Sequence, residues 1–373
     1  MVDKVSRGVS KAYAYLVGKH IDWTKDEVHF SVYGFSRGAA CARMFAFLAA
    51  RGKSGKTIPG EETMSNYLFG SAKKLMNGKR CAFLEKEGFS ENRCTVEFLG
   101  LYDTVSSIGL ADDMGIYTHQ FNATDFGLYS PQLPRVECTL HIGALDEYRK
   151  NFSITDVGKK VPSKCAEIFV PGCHSDIGGS YEDGGENELN LHTDFDDKPA
   201  LILTKDPRNT GVFETVSETS LVKLGWAVTG KTSTSWVRKI ISSKRIVKRG
   251  ISNVTLKTMW NMADNTLSPV FGQKPFVSYK KLQDFQVPKG LNDLDSLVNG
   301  SLPAKGTRKF IIPGGSLSSL EYRKLRYNYI HFSANDSAII NLVNGANWKD
   351  RKLSRIVFHG DKGDTAEHYF DEY

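Results

Sequence analysis

Three residue types in one chain order suffice for acyl-transfer chemistry: a serine on a tight glycine turn, then an aspartate, then a histidine. In this sequence of 373 residues the candidates are Ser36, Asp103 and His174. Ser36 stands in Gly34-Phe35-Ser36-Arg37-Gly38, a G-x-S-x-G pattern in which the hydroxyl can attack an ester carbonyl once a base takes its proton. His174 is the candidate base, and Asp103 the carboxylate that would fix its tautomer and stabilise the imidazolium. The amide of Arg37 is placed to donate to an oxyanion, and Gly34 and Gly38 leave room for close backbone approach. Each has a plainer alternative: an ordinary Gly-Ser turn, an aspartate capping the Thr104-Val105-Ser106-Ser107 segment, and a solvated loop histidine.

The flanking elements favour the chemical reading. Residues 28–33, V-H-F-S-V-Y, have the composition of a buried parallel strand, and residues 39–48 that of a helix. Strand, G-x-S-x-G, helix is the context of an α/β-hydrolase nucleophile elbow. A second buried run, residues 94–102, ends on Asp103, and a third, residues 166–172, delivers His174 onto a Gly-rich turn. Carboxylate and imidazole thus fall at strand C-termini, the edge where an open α/β sheet binds ligands. The order Ser, Asp, His is also the one α/β-hydrolases use. Asp176 is the rival acid, but a side chain two positions from His174 more readily bonds the amides of the Gly178-Gly179 turn. Asp176, Glu182 and Asp183 lack EF-hand spacing, so no metal is expected.

Four motifs in order, G-F-S-R-G-A at the elbow, Y-D-T-V at 102–105, A-L-D-E-Y-R at 144–149 and G-C-H-S-D-I-G-G-S-Y at 172–181, resemble the Tle1-type phospholipase effectors of the type VI secretion system. The resemblance spans residues 5–181 and returns faintly at 325–334. It implies an α/β-hydrolase acting on phospholipid carboxylic esters (phospholipase A type) without metal or organic cofactor. It also implies an antibacterial effector with a spike protein and an immunity protein as partners. In the segment that matches A-L-D-E-x-R, Glu147 and Arg149 are expected to pair beneath the site without taking a chemical step, and residues 141–149 read as helical.

The expected fold class is α/β, a mostly parallel sheet with helices on both faces. One helix, residues 5–19, precedes the elbow strand, whereas a complete α/β-hydrolase sheet has several strands before it. Those N-terminal strands are therefore expected to be missing here, and a fragment of a longer product is favoured over a second chain or a pruned fold. Three regions are expected: a catalytic core over 1–190, a cap or membrane-associating insertion over 191–320, and a return to the core over 321–373.

Residues 219–263 contain no Asp or Glu. Within them Trp236, Arg238, Lys239, Lys244 and Arg245 sit among paired apolar residues at near-helical spacing. A basic amphipathic helix of this kind fits a membrane surface; the alternative is a solvated helix packed on the protein. The net charge of +7 is too diffuse to argue for nucleic acid but permits attraction to an anionic bilayer. Six cysteines without C-x-x-C spacing read as reduced, and His331 reads as a structural histidine. No run is long enough to span a membrane, and the N-terminus lacks a signal-peptide h-region, so synthesis in the cytoplasm and delivery by a secretion system to the periplasm or membrane of a target cell are expected. Two other functions stay open: a soluble esterase with the same triad, or an inactive relative kept as a binding or structural module.

Overall fold

The computed structural model describes residues 2–22, 25–49, 94–106, 136–149, 152–181, 201–204, 223–226, 232–235, 240–243, 247–272, 279–300, 302–312, 316–333, 348–349, 352–359 and 366–370. In chain order, helix α1 (Val2–Gly18) leads to strand β1 (Val28–Phe35) and helix α2 (Arg37–Ala49). Strands β2 (Cys94–Tyr102), β3 (Val136–Ala144), β4 (Ile154–Thr155) and β5 (Cys165–Val170) follow, then the short helix α3 (His174–Gly178). Beyond these come β6 (Leu201–Thr204), β7 (Thr232–Ser235), β8 (Ile240–Ser243), α4 (Ile251–Phe271), α5 (Asn292–Asn299), β9 (Thr307–Phe310) and α6 (Ser319–Tyr329). The chain closes with β10 (Trp348–Lys349), β11 (Lys352–Phe358) and β12 (Ala366–Phe370).

Five strands form one parallel sheet in the order β1-β2-β3-β5-β9. A parallel sheet is covered on both faces, so its strands are apolar in succession: Phe98, Leu99 and Leu101 of β2 and Ile168, Phe169 and Val170 of β5 are all fully buried. One face carries Phe98, Leu140, Ile142 and Ile168, which pack with Val254, Met259 and Met262 of α4. On the other, Phe169 packs with Ile154 of β4 and Val357 of β11. Helix α2 lies on β1 and β2 and is tied toward β4 by Arg43, whose guanidinium donates to the carbonyls of Thr155 (2.9 Å) and Asp156 (3.1 Å).

This is the α/β class expected, with differences in detail. The helical expectation for residues 141–149 does not hold: 141–144 complete the central strand β3, and 145–149 contain no helix. The buried His141 of β3 is satisfied at both ring nitrogens: Nδ1 donates to Glu167 Oε1 (2.7 Å), and Nε2 accepts the Thr104 amide (3.2 Å). Ile240–Ser243, inside the expected basic helix, is a strand paired antiparallel with β6 and β7. Two adjacent isoleucines favour extended backbone over helix. Residues 236–239 and 244–246, with Trp236, Arg238, Lys239, Lys244 and Arg245, lie outside the described residues. From the region expected as a cap, α4 packs on the sheet and β9 extends it as a fifth parallel strand.

Candidate functional site

Ser36 occupies the sharp turn between β1 and α2 with φ +59°. Left-handed backbone costs a residue with a Cβ roughly 1–2 kcal/mol, so the surrounding structure must impose it. Two hydrogen bonds do so, one from the end of β2 and one from the loop after it. The Ser36 amide donates to the Tyr102 carbonyl (2.9 Å), and the Ser36 carbonyl accepts from the Val105 amide (3.3 Å). Gly34 is required for space, since a Cβ there would lie 2.3 Å from the Gly38 carbonyl oxygen and 2.6 Å from the Ala39 Cα. Gly38 is not, because a Cβ there would meet nothing within 4 Å. The expectation that both glycines relieve crowding therefore holds for Gly34 alone. Arg37 opens α2, where first-turn N–H groups have no acceptor within the helix, and its side chain is exposed.

Asp103 follows β2 and is fully buried, with φ +44°. Its amide donates to the Ile142 carbonyl (2.7 Å), which locks the turn to β3. Its carboxylate accepts four hydrogen bonds. Oδ2 takes His174 Nδ1 (2.6 Å) and Arg355 Nη2 (2.8 Å); Oδ1 takes Arg355 Nη1 (2.8 Å) and the Ala144 amide (2.9 Å). Burial alone would raise this carboxyl's pKa. The Arg355 guanidinium, together with the bond from His174, outweighs it and holds Asp103 well below the usual carboxylate range. With Nδ1–H committed to Asp103, the neutral His174 ring keeps Nε2 as a proton acceptor.

His174 begins α3, directly after Pro171-Gly172-Cys173, rather than sitting on an open Gly-rich turn. Its ring lies between Phe35 (centroids 4.5 Å) and Phe152 (4.9 Å, edge-on). Phe35 is the residue before Ser36, so the Asp103–His174 pair stands beside the elbow. The His174 amide donates to Glu147 Oε2 (3.2 Å), and Glu147 is itself gripped by Arg149 through Nε (2.9 Å) and Nη2 (2.8 Å) and by the Ser333 hydroxyl. Burial would raise the Glu147 pKa, but Arg149 holds it down to about 2. Arg149 in turn lies 3.3 Å over the Phe152 ring. Glu147 and Arg149 thus pair beneath the histidine.

Asp176 serves a different partner from the one expected. Its Oδ2 accepts the amides of Cys173 (2.9 Å) and His331 (3.0 Å), and its Oδ1 accepts His331 Nδ1 (2.6 Å). The Gly178-Gly179 turn needs no carboxylate, because the Gly179 amide donates to the Ser175 carbonyl (3.0 Å). Cys41, Cys138, Cys165 and Cys173 are not in disulfides. Among the described residues no His, Cys, Asp or Glu cluster could hold a metal ion; Glu182 and Asp183 lie outside them.

Sequence reasoning missed Arg355. It is buried in β11, and it reaches Asp103 because β11 runs parallel to β4 with Val357 opposite Ile154. Besides the aspartate it donates to the carbonyls of Ala144 (2.5 Å) and Phe152 (3.1 Å). The available signal was an arginine in an apolar strand pattern. Its partner is 252 positions away, beyond any local spacing rule.

A mostly parallel α/β sheet with a strained serine elbow and an Asp–His pair on the same edge defines the class as α/β-hydrolase-like. The family model described as "T6SS, Phospholipase effector Tle1-like, catalytic domain" matches residues 1–199, more than half of the chain, and the chain belongs to that family. No curated protein matches it. Among solved structures it is similar to the Tle1 effector bound to the VgrG spike from the type 6 secretion system, with 21% identity and a TM-score of 0.53 over 90% of this chain and 63% of that one. The chain therefore spans less than two thirds of that structure's length. An uncharacterized protein from Pseudomonas aeruginosa also aligns, with 15% identity and a TM-score of 0.38 over 79% of this chain and 31% of that one.

Proposed function

We propose that the chain carries the catalytic site of a serine hydrolase that cleaves carboxylic esters of phospholipids, in the manner of a phospholipase A. The observation that carries this reading is the left-handed Ser36 between β1 and α2, set beside the buried Asp103–His174 pair. His174 Nε2 takes the Ser36 proton as Oγ forms a bond to the ester carbonyl carbon, and Asp103 stabilises the resulting imidazolium. The carbonyl oxygen becomes an oxyanion facing the Arg37 amide at the start of α2. Collapse breaks the bond to the leaving alcohol, which receives the proton from His174. Water then attacks the acyl-serine by the same route in reverse and frees the fatty acid and Ser36.

Phospholipid as substrate rests on the family and on the basic, acid-free stretch 219–263. Among the described residues no helix is long and apolar enough to cross a membrane, so access to lipid would be from the surface. Family membership also supports delivery by a type VI secretion system, and the spike-bound Tle1 structure makes a spike protein the natural partner, with an immunity protein in the producing cell. A soluble esterase would share the triad. Liposome co-sedimentation at low and high salt separates the two, because indifference to anionic lipid removes the argument for a bilayer substrate.

A second reading, an inactive binding module, draws on the position of β1. Among the described residues this strand pairs on one side only, with β2. In α/β-hydrolases the second oxyanion donor comes from a loop after strands that precede the nucleophile strand. Fluorophosphonate labelling, with Ser36→Ala as the control, decides. The hydrolase reading expects one labelled serine that the substitution abolishes, whereas an unlabelled native protein favours the module.

A further inference from the structure

We propose that Arg355 is a positioning residue of this site, a guanidinium that sets both the orientation of Asp103 and the proton affinity of His174. Its role in turnover rests on the hydrolase reading above, but its effect on the histidine does not. A carboxylate bonded only to an imidazole can rotate about its last torsion and swap oxygens. Here a planar fork holds both oxygens (Nη1 to Oδ1 and Nη2 to Oδ2, 2.8 Å each), while the Ala144 amide pins Oδ1 (2.9 Å). The oxygen facing Nδ1 of His174 is fixed, and with it the tilt of the ring.

Charge gives the second half. Asp103 and Arg355 are both buried, and together they are neutral. An aspartate without that counter-charge would draw a proton onto the adjacent imidazole, leaving it unable to accept one from serine. The other groups facing His174 do not take over this task. Glu147, from the loop after β3, is spent on Arg149 and Ser333. Asp176, within α3, is bonded to His331 from the stretch after α6. Burial pushes up the pKa of the neighbouring Cys173 thiol and, together with the charge of nearby groups, that of the Tyr181 phenol, so both stay neutral. Among the described residues Arg355 is thus the cation aimed at Asp103, and it comes from a strand outside the matched residues 1–199.

The test uses the full chain labelled with 15N-histidine, with His174 assigned by loss of its signals in His174→Gln. In Arg355→Met the His174 titration midpoint should rise by about one unit or more, a tenfold or greater gain in proton affinity. The acid limb of fluorophosphonate labelling should move up with it. In Arg355→Lys, which keeps the charge but not the fork, the midpoint should stay within about half a unit of native while labelling slows about tenfold or more. A native midpoint in folded Arg355→Met overturns the proposal. Should Arg355→Met fail to fold, native labelling rates in Arg355→Lys overturn it instead. If the native protein is not labelled, the hydrolase reading falls, and the midpoint in Arg355→Met, or in its absence the loss of the Nδ1–H hydrogen-bond signal in Arg355→Lys, still decides the role of Arg355.

Discussion

Acid should loosen this protein at a residue outside the proposed bond-making steps. Glu147 is buried under His174 with its pKa brought from an ordinary 4.5 to about 2. Burial opposes that shift, and the bidentate Arg149, at 2.8 and 2.9 Å, overcomes it. A carboxyl whose folded pKa is depressed contributes stability that is complete above the unfolded value and lost as pH falls through the folded one. At 1.36 kcal/mol per unit the contribution is about 3 kcal/mol at neutral pH, and roughly 2 kcal/mol of it is gone by pH 3. Glu147→Gln keeps the size and one acceptor oxygen but removes the titration. Urea unfolding of native and Glu147→Gln protein from pH 7 to pH 3 should therefore show a native advantage of about 3 kcal/mol that narrows to about 1 kcal/mol. A gap that stays constant over that range would refute the idea that an ionised Glu147 held by Arg149 underlies the site.

Other substitutions test the elbow and the buried pair. Gly34→Ala should destabilise by about 3 kcal/mol, because the added Cβ meets backbone at 2.3 and 2.6 Å; Gly38→Ala should be neutral or gain up to about 1 kcal/mol by helix preference, both read by thermal unfolding. Ser36→Gly relieves the left-handed backbone and should stabilise by about 1 kcal/mol relative to Ser36→Ala while both abolish fluorophosphonate labelling. Asp103→Asn leaves Arg355 buried without its counter-charge and should cost about 3–5 kcal/mol in urea unfolding, with labelling reduced even in the fraction that remains folded.

The parts of this architecture that are legible in the sequence are those whose cause is local. β2 and β5 announce themselves as apolar runs because both faces of a parallel sheet are covered, β1 is legible from its β-branched and aromatic residues although Ser31 and Tyr33 are exposed, and the elbow is legible because only a residue without a Cβ fits at Gly34. β3 is obscured because its end, residues 141–144, runs into the A-L-D-E-Y-R segment and reads with it as helical, whereas His141 is fully buried in the strand and satisfied by Glu167 on β5 and the Thr104 amide. Ile240–Ser243 misleads in the opposite sense, since basic residues flanking apolar pairs mimic a helical stripe while the isoleucines settle into a strand. A strand C-terminus can deliver a carboxylate or an imidazole to the working edge by chain order alone, which is why Ser36, Asp103 and His174 stand out from their motifs and flanking runs. What holds the carboxylate's charge at that edge has no such constraint. Any strand able to lay an arginine against Asp103 would serve, and the one that does begins at Lys352, far beyond the motifs. The candidate reactive groups follow from local rules, whereas the electrostatics that would tune them depend on long-range packing, and that division explains why Arg355 is the residue the sequence conceals.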